Sequence, residues 1–565
     1  MISPRRWDPL QELEEGQEDE KSNGTHPIPH LAVVHVAEGK AGEVNSPDGC
    51  TLASRRAPAR GRCAQYLPMR THSGNPRPRY QNIEAEFCRI SHLMPPFRPD
   101  DIPTRSRSIF FSWWRSLLPS QLFIGSFLLL IGLGTAGFMV LPGLYAGPPL
   151  DWVDALFTAT SAVCVTGLIV VDTAEYFTTW GQAYILLLIQ LGGLGIITFT
   201  SVILAALGQR LSLRHEQMAG SRADLVDDID YRELTWAILR FTFVAELIGA
   251  VLLYASWVPR FGWEGAAWHS VFHTVSAFCN AGFSTFTTSL EAFQSNLPLL
   301  GVVMTLIVVG GLGFLTLEEL NVWWGKRRDE GRFRLSLHSQ IVLATTALLI
   351  VNGWAAFTVF EWHNTLAGMP VGERLVNGLF ASITPRTAGF NTIDYAQVET
   401  ETNFLTIVFM MIGGSPGSTA GGIKTTTFAL LGLLAWSRLR GRPTTSISGR
   451  TIPDATLQKS TSLFVVAFGI VAAGIFLYSI TEFADGVAAS ASPFLTYMFE
   501  AVSAFNTVGL SMGATGDLTT PGRLCTVVLM FIGRVGTLTF VAAMARTPKR
   551  IKGGFRYAYE DVSIG

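Results

Sequence analysis

Charged residues are scarce in this chain. They make up 15% of its 565 residues, whereas soluble domains carry about a quarter. Hydrophobic residues account for 48%, and the 42 basic and 43 acidic side chains leave a net charge of −1. This composition excludes an ordinary soluble domain and predicts an integral membrane protein. No nucleic-acid partner is expected.

Enzyme motifs are missing as well. The six cysteines include no CxxC pair, so neither a zinc site nor a redox pair is indicated. The sequence has no HExxH, no GxSxG and no intramembrane acid pair facing a histidine. We therefore predict no enzyme, and no cofactor held by this chain. The N-terminus also lacks the apolar core of a secretory signal.

Residues 1–110 differ from the rest of the chain. They combine an acidic run (residues 12–20), a basic run (residues 55–62) and scattered prolines, with no apolar stretch that could cross a bilayer. We predict a disordered cytoplasmic N-terminal extension here, and a membrane domain over 111–565. Two explanations of the extension stay open: a regulatory tail, or a misassigned start codon, since Met94 lies just before the membrane part.

One phrase recurs four times: ALFTATSAVCVTGLIV, SVFHTVSAFCNAGFST, GLFASITPRTAGFNTI and YMFEAVSAFNTVGLSM. In each copy a phenylalanine precedes a glycine by nine or ten residues. Such a repeat between apolar runs predicts four copies of one membrane unit around an axis. The phenylalanines are Phe157, Phe272, Phe380 and Phe499, and the glycines are Gly167, Gly282, Gly389 and Gly509.

Each phrase predicts a short helix that ends near a pore axis. The C-terminal end of a helix carries partial negative charge, which favours a cation. Glycine permits the sharp turn that follows, and a ring of inward carbonyls can replace the hydration shell of potassium. Close helix packing explains one glycine, but not four at matched positions. The expected ion-binding residues are Val165, Thr166, Gly167, Asn280, Ala281, Gly282, Thr387, Ala388, Gly389, Thr507, Val508 and Gly509.

A second glycine cluster follows each copy: LGGLG, GGLG, GGSPGSTAGG and GRVG. One unit is therefore membrane helix, re-entrant half-helix, glycine turn, membrane helix. The predicted fold is all-α and integral to the membrane, with four such repeats in pseudo-fourfold symmetry around one ion pore. The repeats cover about 120–215, 232–330, 338–445 and 458–550. The eight predicted spans are 121–143, 181–207, 234–257, 298–320, 339–361, 404–435, 459–483 and 523–544.

Lysine and arginine set the predicted orientation. They concentrate in the segment before the first span, in the loops between repeats and in the C-terminal tail, which places both termini in the cytoplasm. The expected location is the cell (inner) membrane, with several passes through the lipid bilayer. The opposite side would carry an acidic mouth that concentrates cations. Its predicted members are Asp151, Asp154, Asp172, Glu175, Glu264, Glu361, Glu373 and Asp394, diluted by Arg260, Arg374 and Arg386.

The phrases VTGLIVVDTAEYFTTWGQ, LLLIQLGGLG, TPRTAGFNTIDY and GGSPGSTAGGIKTTT resemble the Trk/Ktr/HKT superfamily of potassium transporters, and KtrB-type membrane subunits most closely. The resemblance covers roughly residues 120 to 565. It implies potassium held at filter carbonyls, with Gly167, Gly282, Gly389 and Gly509 as the filter glycines. It also implies a homodimer, a cytosolic RCK-type (KtrA-like) ring that binds nucleotide, and sodium activation of transport.

The third repeat differs from the others because glycines and a proline interrupt its second span. We expect it to be the only broken span, because irregular backbone at membrane depth must line a cavity or pack in protein. The resemblance implies that this stretch is an intramembrane gate. Lys424 lies in a near miss for a phosphate-binding loop, but Ile423 and the apolar flanks argue against nucleotide. The expected gate residues are Gly413, Gly414, Ser415, Gly417, Gly421, Gly422, Lys424 and Arg534.

Arg534 is a charge inside the last predicted span. It would hold carbonyls of the third-repeat loop or lower cation occupancy below the filter. The alternative is an arginine that reaches the membrane surface or packs between helices. One functional alternative also stays open, namely a sodium-permeable or weakly selective cation pathway on the same scaffold, because one glycine per repeat makes a short filter.

Overall fold

A computed structural model describes residues 119–206, 231–326, 335–482 and 492–536. The predicted N-terminal extension, the C-terminal tail and most of the basic loops lie outside the described residues, so the predicted orientation stays a prediction. The description covers all twelve predicted ion-binding residues and all eight predicted gate residues.

The described part is helical, apart from one short hairpin. A single-turn 3-10 helix at Glu291–Phe293 lies between the fourth and fifth α-helices, and strands β1 (Ser446–Ile447) and β2 (Arg450–Thr451) pair antiparallel. The α-helices are α1 Pro119–Val140, α2 Trp152–Val163, α3 Thr179–Ala206, α4 Tyr231–Cys279, α5 Leu297–Leu312, α6 Phe314–Lys326, α7 Leu337–Phe360, α8 Val371–Ile383, α9 Thr400–Met410, α10 Thr425–Leu439, α11 Asp454–Thr481, α12 Pro493–Asn506 and α13 Thr520–Val535.

Four described helices are long and apolar enough to cross a membrane: those at Gln121–Val140, Thr235–Cys279, Leu337–Phe360 and Asp454–Thr481. The bent pair α5 and α6 makes a fifth candidate. Only 22% of the most apolar window of α11 is buried. An exposed surface this apolar is stable in contact with lipid but not in contact with water, so it agrees with a membrane protein.

One predicted feature of the spans is wrong. The third repeat was expected to hold the only broken span, but α5 and α6 meet at 104°. Gly313 sits at this bend with a φ of 86°, and a carbonyl of the third-repeat loop approaches it closely. Helix α4 includes both the predicted span over 234–257 and the half-helix that follows it. Its two parts meet at a kink at Gly262, close to Pro259.

Exposed tryptophans mark helix ends. Trp152, Trp180 and Trp263 lie at the starts of α2 and α3 and just after the α4 kink. Trp236, Trp324 and Trp436 lie near the opposite ends, at the start of α4 and the ends of α6 and α10. Tryptophan favours membrane–water interfaces because its ring is apolar and its N–H is polar. The two groups agree with a membrane that spans the described helices.

The phenylalanines that open the four phrases are at the centre of the core. Phe157, Phe272, Phe380 and Phe499 are all buried, with at most 1% of their surface exposed. They lie on α2, the second part of α4, α8 and α12, the helices that lead to the four glycines. Because membrane helices associate through close side-chain packing, these buried rings hold each helix in place before its C-terminal end.

Candidate functional site: a ring of four glycine turns

The four glycines lie next to one another in a closed ring, although the chain separates them widely. A Cβ built on Gly167 would clash with the carbonyl oxygen of Ala281, and one on Gly282 would lie 2.8 Å from Cα of Gly389. A Cβ on Gly389 would lie 2.7 Å from the Val508 oxygen, and one on Gly509 would lie 3.1 Å from Cα of Gly167. No side chain larger than hydrogen fits at any of the four positions.

The turns share a backbone conformation that few side chains adopt. The glycine φ values are 94°, 71°, 77° and 90° in chain order. Two residues earlier, Val165, Asn280, Thr387 and Thr507 are also left-handed, with φ values of 56°, 59°, 71° and 52°. Left-handed backbone costs a non-glycine residue roughly 1–2 kcal/mol. The surrounding packing therefore imposes the same strained turn four times, as expected where carbonyl direction matters.

Several polar atoms at the ring have no hydrogen-bond partner among the described residues. They are the side-chain hydroxyls of Thr166, Thr387 and Thr507 and the amide oxygen of Asn280, all buried. Buried polar oxygens are costly unless they are bonded. The four glycine turns therefore have unbonded oxygens beside them, and oxygens of this kind can interact with a dehydrated cation.

A hydroxyl side chain in each half-helix holds the turn that follows, and the sequence analysis missed it. Ser161 Oγ donates to the Leu168 carbonyl (2.7 Å) and Ser276 Oγ to the Phe283 carbonyl (2.7 Å). Thr384 Oγ1 donates to the Phe390 carbonyl (2.5 Å), and Ser503 Oγ accepts from Gly509 N (3.1 Å). The signal was available, because each phrase carries Ser or Thr five or six residues before its glycine.

The second glycine clusters let the following helices pack against the half-helix ends. A Cβ at Gly192 would overlap the Val163 carbonyl, one at Gly310 the Phe278 carbonyl, and one at Gly533 the Phe505 carbonyl. In these three repeats the second cluster is therefore a point of close approach, where only hydrogen leaves room. This contact places each half-helix end at the ring.

A cavity of about 410 Å³ opens above the ring, with all four glycines in its lining. Its polar lining includes Asp172, Glu291 and Asp394. Two of these carboxylates belong to the predicted acidic mouth, and Glu291 is a member that the sequence analysis missed. A carboxylate-lined cavity concentrates cations at its floor.

Some predicted members of the mouth have other roles. Asp154 forms an ion pair with Arg523, and its carboxylate charge is therefore already balanced. Glu361 is fully buried and accepts hydrogen bonds from Asn364 Nδ2 (2.8 Å) and Thr365 Oγ1 (2.8 Å). Arg386 is buried rather than exposed at the mouth. Asp154, Glu361 and Arg386 therefore do not act as predicted at the mouth, whereas Asp172 and Asp394 line the cavity.

The Glu291 carboxyl titrates differently from a free glutamate. Burial raises its pKa above the ordinary value, and the Asp394 carboxylate raises it further. A hydrogen bond from Asn391 Nδ2 (2.8 Å) opposes the shift by stabilising the charged form. Glu291 therefore loses its charge at a higher pH than an exposed glutamate does.

The third-repeat loop lies directly against the ring. Thr419 Oγ1 donates to the carbonyls of Phe278 and Gly310 (both 3.1 Å), and Asn280 Nδ2 donates to Thr419 Oγ1 (3.1 Å). On another side, Ile423 N donates to Asn506 Oδ1 (3.4 Å). A Cβ at Gly421 would clash with Thr507 Oγ1. The loop thus contacts the residues next to two of the four glycines.

The two cations predicted for the gate both bind carbonyls. Arg534, which is 3% exposed, donates through Nη1 to the Thr419 carbonyl and through Nη2 to the Gly192 carbonyl (3.0 Å). Lys424 Nζ donates to the Ala420 carbonyl (2.7 Å). Arg534 therefore joins the loop to α3. The structure brings both cations and the loop glycines together under the ring.

An all-helical protein with lipid-facing helices around four converging turns belongs to the class of membrane transporters. Comparison with known proteins agrees. A sequence profile of the TrkH family, described as a cation transport protein, matches residues 120–550. The chain therefore belongs to the TrkH family of cation transport proteins, and the resemblance to the Trk/Ktr/HKT superfamily is confirmed. The family consists of transporters and not of enzymes.

Individual relatives support the same assignment. The chain is 38% identical over 453 residues to the potassium/sodium uptake protein NtpJ of Enterococcus hirae, covering 80% of this chain and 98% of that protein. It is 39% identical over 459 residues to the Ktr system potassium uptake protein B of Bacillus subtilis, again covering 80% and 98%. The crystal structure of the potassium transporter TrkH from Vibrio parahaemolyticus shares the fold, with a TM-score of 0.62 and 18% identity over 76% of this chain and 85% of that chain.

Proposed function

We propose that the chain carries potassium ions into the cell through one pore at the ring of four glycines. One observation carries this proposal: four turns from distant parts of the chain meet at the floor of an acid-lined cavity, with glycine at every contact. Four helix–half-helix–helix repeats in pseudo-fourfold symmetry would build that pore. The relatives named for potassium uptake are consistent with the ion.

Selection would depend on backbone carbonyls. The carbonyls of Val165, Asn280, Thr387 and Thr507, with those of the residues that follow each, would replace the water around the ion. The C-terminal ends of α2, α4, α8 and α12 add partial negative charge below it. No charged side chain belongs to the twelve ring residues, so carbonyl number and field strength would decide which cation passes.

A second candidate is a pathway that also admits sodium. The ring has one glycine per turn, and a short filter holds fewer ions in series than a long one. One relative bears a name that includes both potassium and sodium. Competition between the two ions during uptake separates the candidates, because excess sodium does not lower the rate of potassium uptake through a selective pore.

The loop between α9 and α10 would be the gate. Its contacts with Asn280 and Asn506 place it under the ring, where it would close the path below the ion. Arg534 would stabilise the closed loop through the Thr419 carbonyl and repel a passing cation. Movement of the loop would therefore require that this arginine release its carbonyls.

Assembly would extend beyond one chain. We propose a homodimer of two pores in the cell membrane, with both termini in the cytoplasm, regulated by a cytosolic RCK-type ring that binds nucleotide. The name of the Bacillus subtilis relative describes it as one component of a system, which supports a separate regulatory component. The chain itself carries no nucleotide-binding motif.

The test is growth and ion uptake in a bacterial strain that lacks its own potassium uptake systems. Expression of the chain, with and without a co-expressed RCK-type subunit, should restore potassium uptake at low external potassium. The control is an inactive variant of the chain that is present in the membrane in the same amount. The proposal would be contradicted if the chain took up neither potassium nor sodium, whether the subunit is present or absent.

A further inference from the structure

Glu246 is an intramembrane carboxylate that the pore itself does not use. It lies within the candidate span of α4 and is 6% exposed. A charged side chain inside the membrane costs several kcal/mol and usually has a functional partner. A leucine would fill the same kind of position without that cost.

The partner of Glu246 is Gln190 on α3. Gln190 Nε2 donates to Glu246 Oε1 (3.0 Å) and to Glu246 Oε2 (3.2 Å). Both oxygens of the Glu246 carboxylate therefore accept a hydrogen bond from the same NH₂ group. Because the carboxylate accepts through both oxygens, Gln190 must turn its NH₂ toward Glu246, which leaves its carbonyl oxygen free to accept from another group.

The carbonyl oxygen of Gln190 reaches the second turn of the ring. Cys279 Sγ donates to Gln190 Oε1 (3.4 Å), and Cys279 immediately precedes the left-handed Asn280. Cys279 is fully buried, and a Cβ built on Gly193 would lie 2.8 Å from its sulfur. The thiol thus donates to one residue of α3 and packs over Gly193 of the same helix, where a larger residue would not fit.

The same stretch of α3 contacts other parts of the site. Gly192 packs against the Val163 carbonyl at the end of α2 and accepts from Arg534 Nη2. The segment Gln190–Gly193 therefore joins the ends of two half-helices and the arginine under the ring. Its side-chain connections to α4 are Glu246, within the span, and Cys279, at the C-terminal end of that helix.

We propose that Glu246 is a positioning residue for ion selection, which sets the second turn of the ring through Gln190 and Cys279. This inference rests on the proposed function, because it needs a cation pore at the ring. Without the carboxylate, the Gln190 amide can take either orientation, and the thiol then meets an NH₂ group instead of an oxygen. The carbonyls after Cys279 would lose one of the contacts that fix their direction.

The test measures initial rates of potassium and sodium uptake at equal amounts of protein in the membrane. Glu246→Gln should change the ratio of the two rates by about threefold or more, the factor expected for one lost hydrogen bond. Cys279→Ala should change it similarly, and Cys279→Ser should keep the wild-type ratio because a hydroxyl can still donate. The double variant E246Q/C279A should show no larger change than either single one.

A matched control is Ser256→Ala, two to three turns further along α4. Its hydroxyl donates to the Leu252 carbonyl on the same helix, so its removal should leave the ratio unchanged. A purely structural role for Glu246 would lower the amount of protein without changing the ratio. That outcome, or additive effects of E246Q and C279A, overturns the proposal.

Two further outcomes are informative. If Glu246→Gln does not reach the membrane, Cys279→Ala is compared with Cys279→Ser. A changed uptake ratio in Cys279→Ala alone supports the connection through Gln190 and Cys279. Unchanged ratios in both variants overturn it. If the wild-type chain takes up neither cation, the proposed function itself fails and this inference falls with it. A transporting wild type with an unaltered Glu246→Gln ratio rejects only the role of Glu246.

Discussion

At the scale of single residues, the ring depends on the absence of a side chain. Gly389 shows why: its φ is 77°, and a Cβ there would meet the Val508 oxygen and the Cα atoms of Gly282 and Gly509. Any substitution must move a neighbouring turn, since backbone rather than a flexible side chain is in the way. The consequence falls on carbonyl direction and therefore on ion selection.

We expect Gly389→Ser to reduce the preference for potassium over sodium, because the new Cβ displaces the carbonyls of the adjoining turns. The measurement is the ratio of potassium to sodium uptake at equal expression. Gly301→Ala is the matched control, since a Cβ at Gly301 has no atom within 4 Å. Unchanged selectivity in Gly389→Ser, with normal amounts of protein, would reject the filter assignment.

We expect potassium uptake at low external potassium to weaken as external pH falls, and Glu291→Gln to flatten this dependence. The pKa of Glu291 is raised, so the carboxyl is charged above that pKa and loses its charge as pH falls through it, earlier than an exposed glutamate would. Loss of a negative charge from the cavity wall lowers the local cation concentration.

The measurement for Glu291 is a series of uptake curves at several external pH values. The effect should appear in KM rather than in the maximal rate, because the carboxylate lies outside the ring. Glu264→Gln, an exposed glutamate outside the cavity lining, is the control. A pH dependence that is identical in Glu291→Gln and in the wild type would contradict this role.

Sequence alone predicted the glycine positions because the same phrase recurs with the same spacing. It could not predict Glu291 as a wall residue, since only the folded cavity brings it near Asp394. It also passed over Glu246, although a charge within a predicted span is the signal that pointed to Arg534. The hydroxyls at Ser161, Ser276, Thr384 and Ser503 could have been recognised, because each lies five or six residues before its glycine.

At the scale of elements, the breaks between helices position the site residues as much as the helices themselves do. The sequence analysis predicted a continuous span over 298–320 despite its GGLG cluster, yet α5 and α6 bend at Gly313. The cause is tertiary: Phe314 N donates to the Gly417 carbonyl of the third-repeat loop (3.1 Å). Such a contact between distant repeats cannot be read from local spacing.

We expect removal of residues within the Gly413–Gly422 loop to raise potassium flux and to make it less dependent on the regulatory subunit. The loop lies under the ring, so its loss would open the path below the ion. Initial uptake rates, with and without the subunit, provide the measurement. Shortening the exposed hairpin around Gly449, which lies between β1 and β2, is the control. Retained dependence on the subunit would place control elsewhere.

We expect Arg534→Ala to act in the same direction as the loop deletion. The substitution removes the donor to the Thr419 carbonyl and the positive charge under the ring. Arg534→Lys keeps the charge but offers fewer donors, and should give an intermediate rate. The measurement is again the initial uptake rate at equal membrane expression. A lower flux in Arg534→Ala, in a protein that assembles normally, would rule out its part in closing the pore.

At the scale of the whole molecule, amino-acid composition was sufficient to predict the class of protein but not how the protein assembles with partners. Apolar helices with exposed surfaces follow directly from scarce charge. The surfaces that contact partners do not follow from composition, and the tail and most of the basic loops lie outside the described residues.

We expect a soluble nucleotide-binding subunit to co-purify with the chain from its native host. The chain has no such motif itself, and relatives include a component of a named Ktr system. Purification in mild detergent, followed by identification of co-eluting proteins, provides the measurement. Consistent recovery of the chain alone, together with regulated transport when it is reconstituted alone, would contradict this expectation.

The most direct test of the central claim is to locate the ion. Crystals of the protein grown with rubidium in place of potassium would show the cation by anomalous scattering. The account predicts a peak on the axis between Gly167, Gly282, Gly389 and Gly509, surrounded by backbone carbonyls of the four turns. The peak should disappear in Gly389→Ser. A well-ordered ring without bound rubidium, at a concentration that supports uptake, would contradict the account.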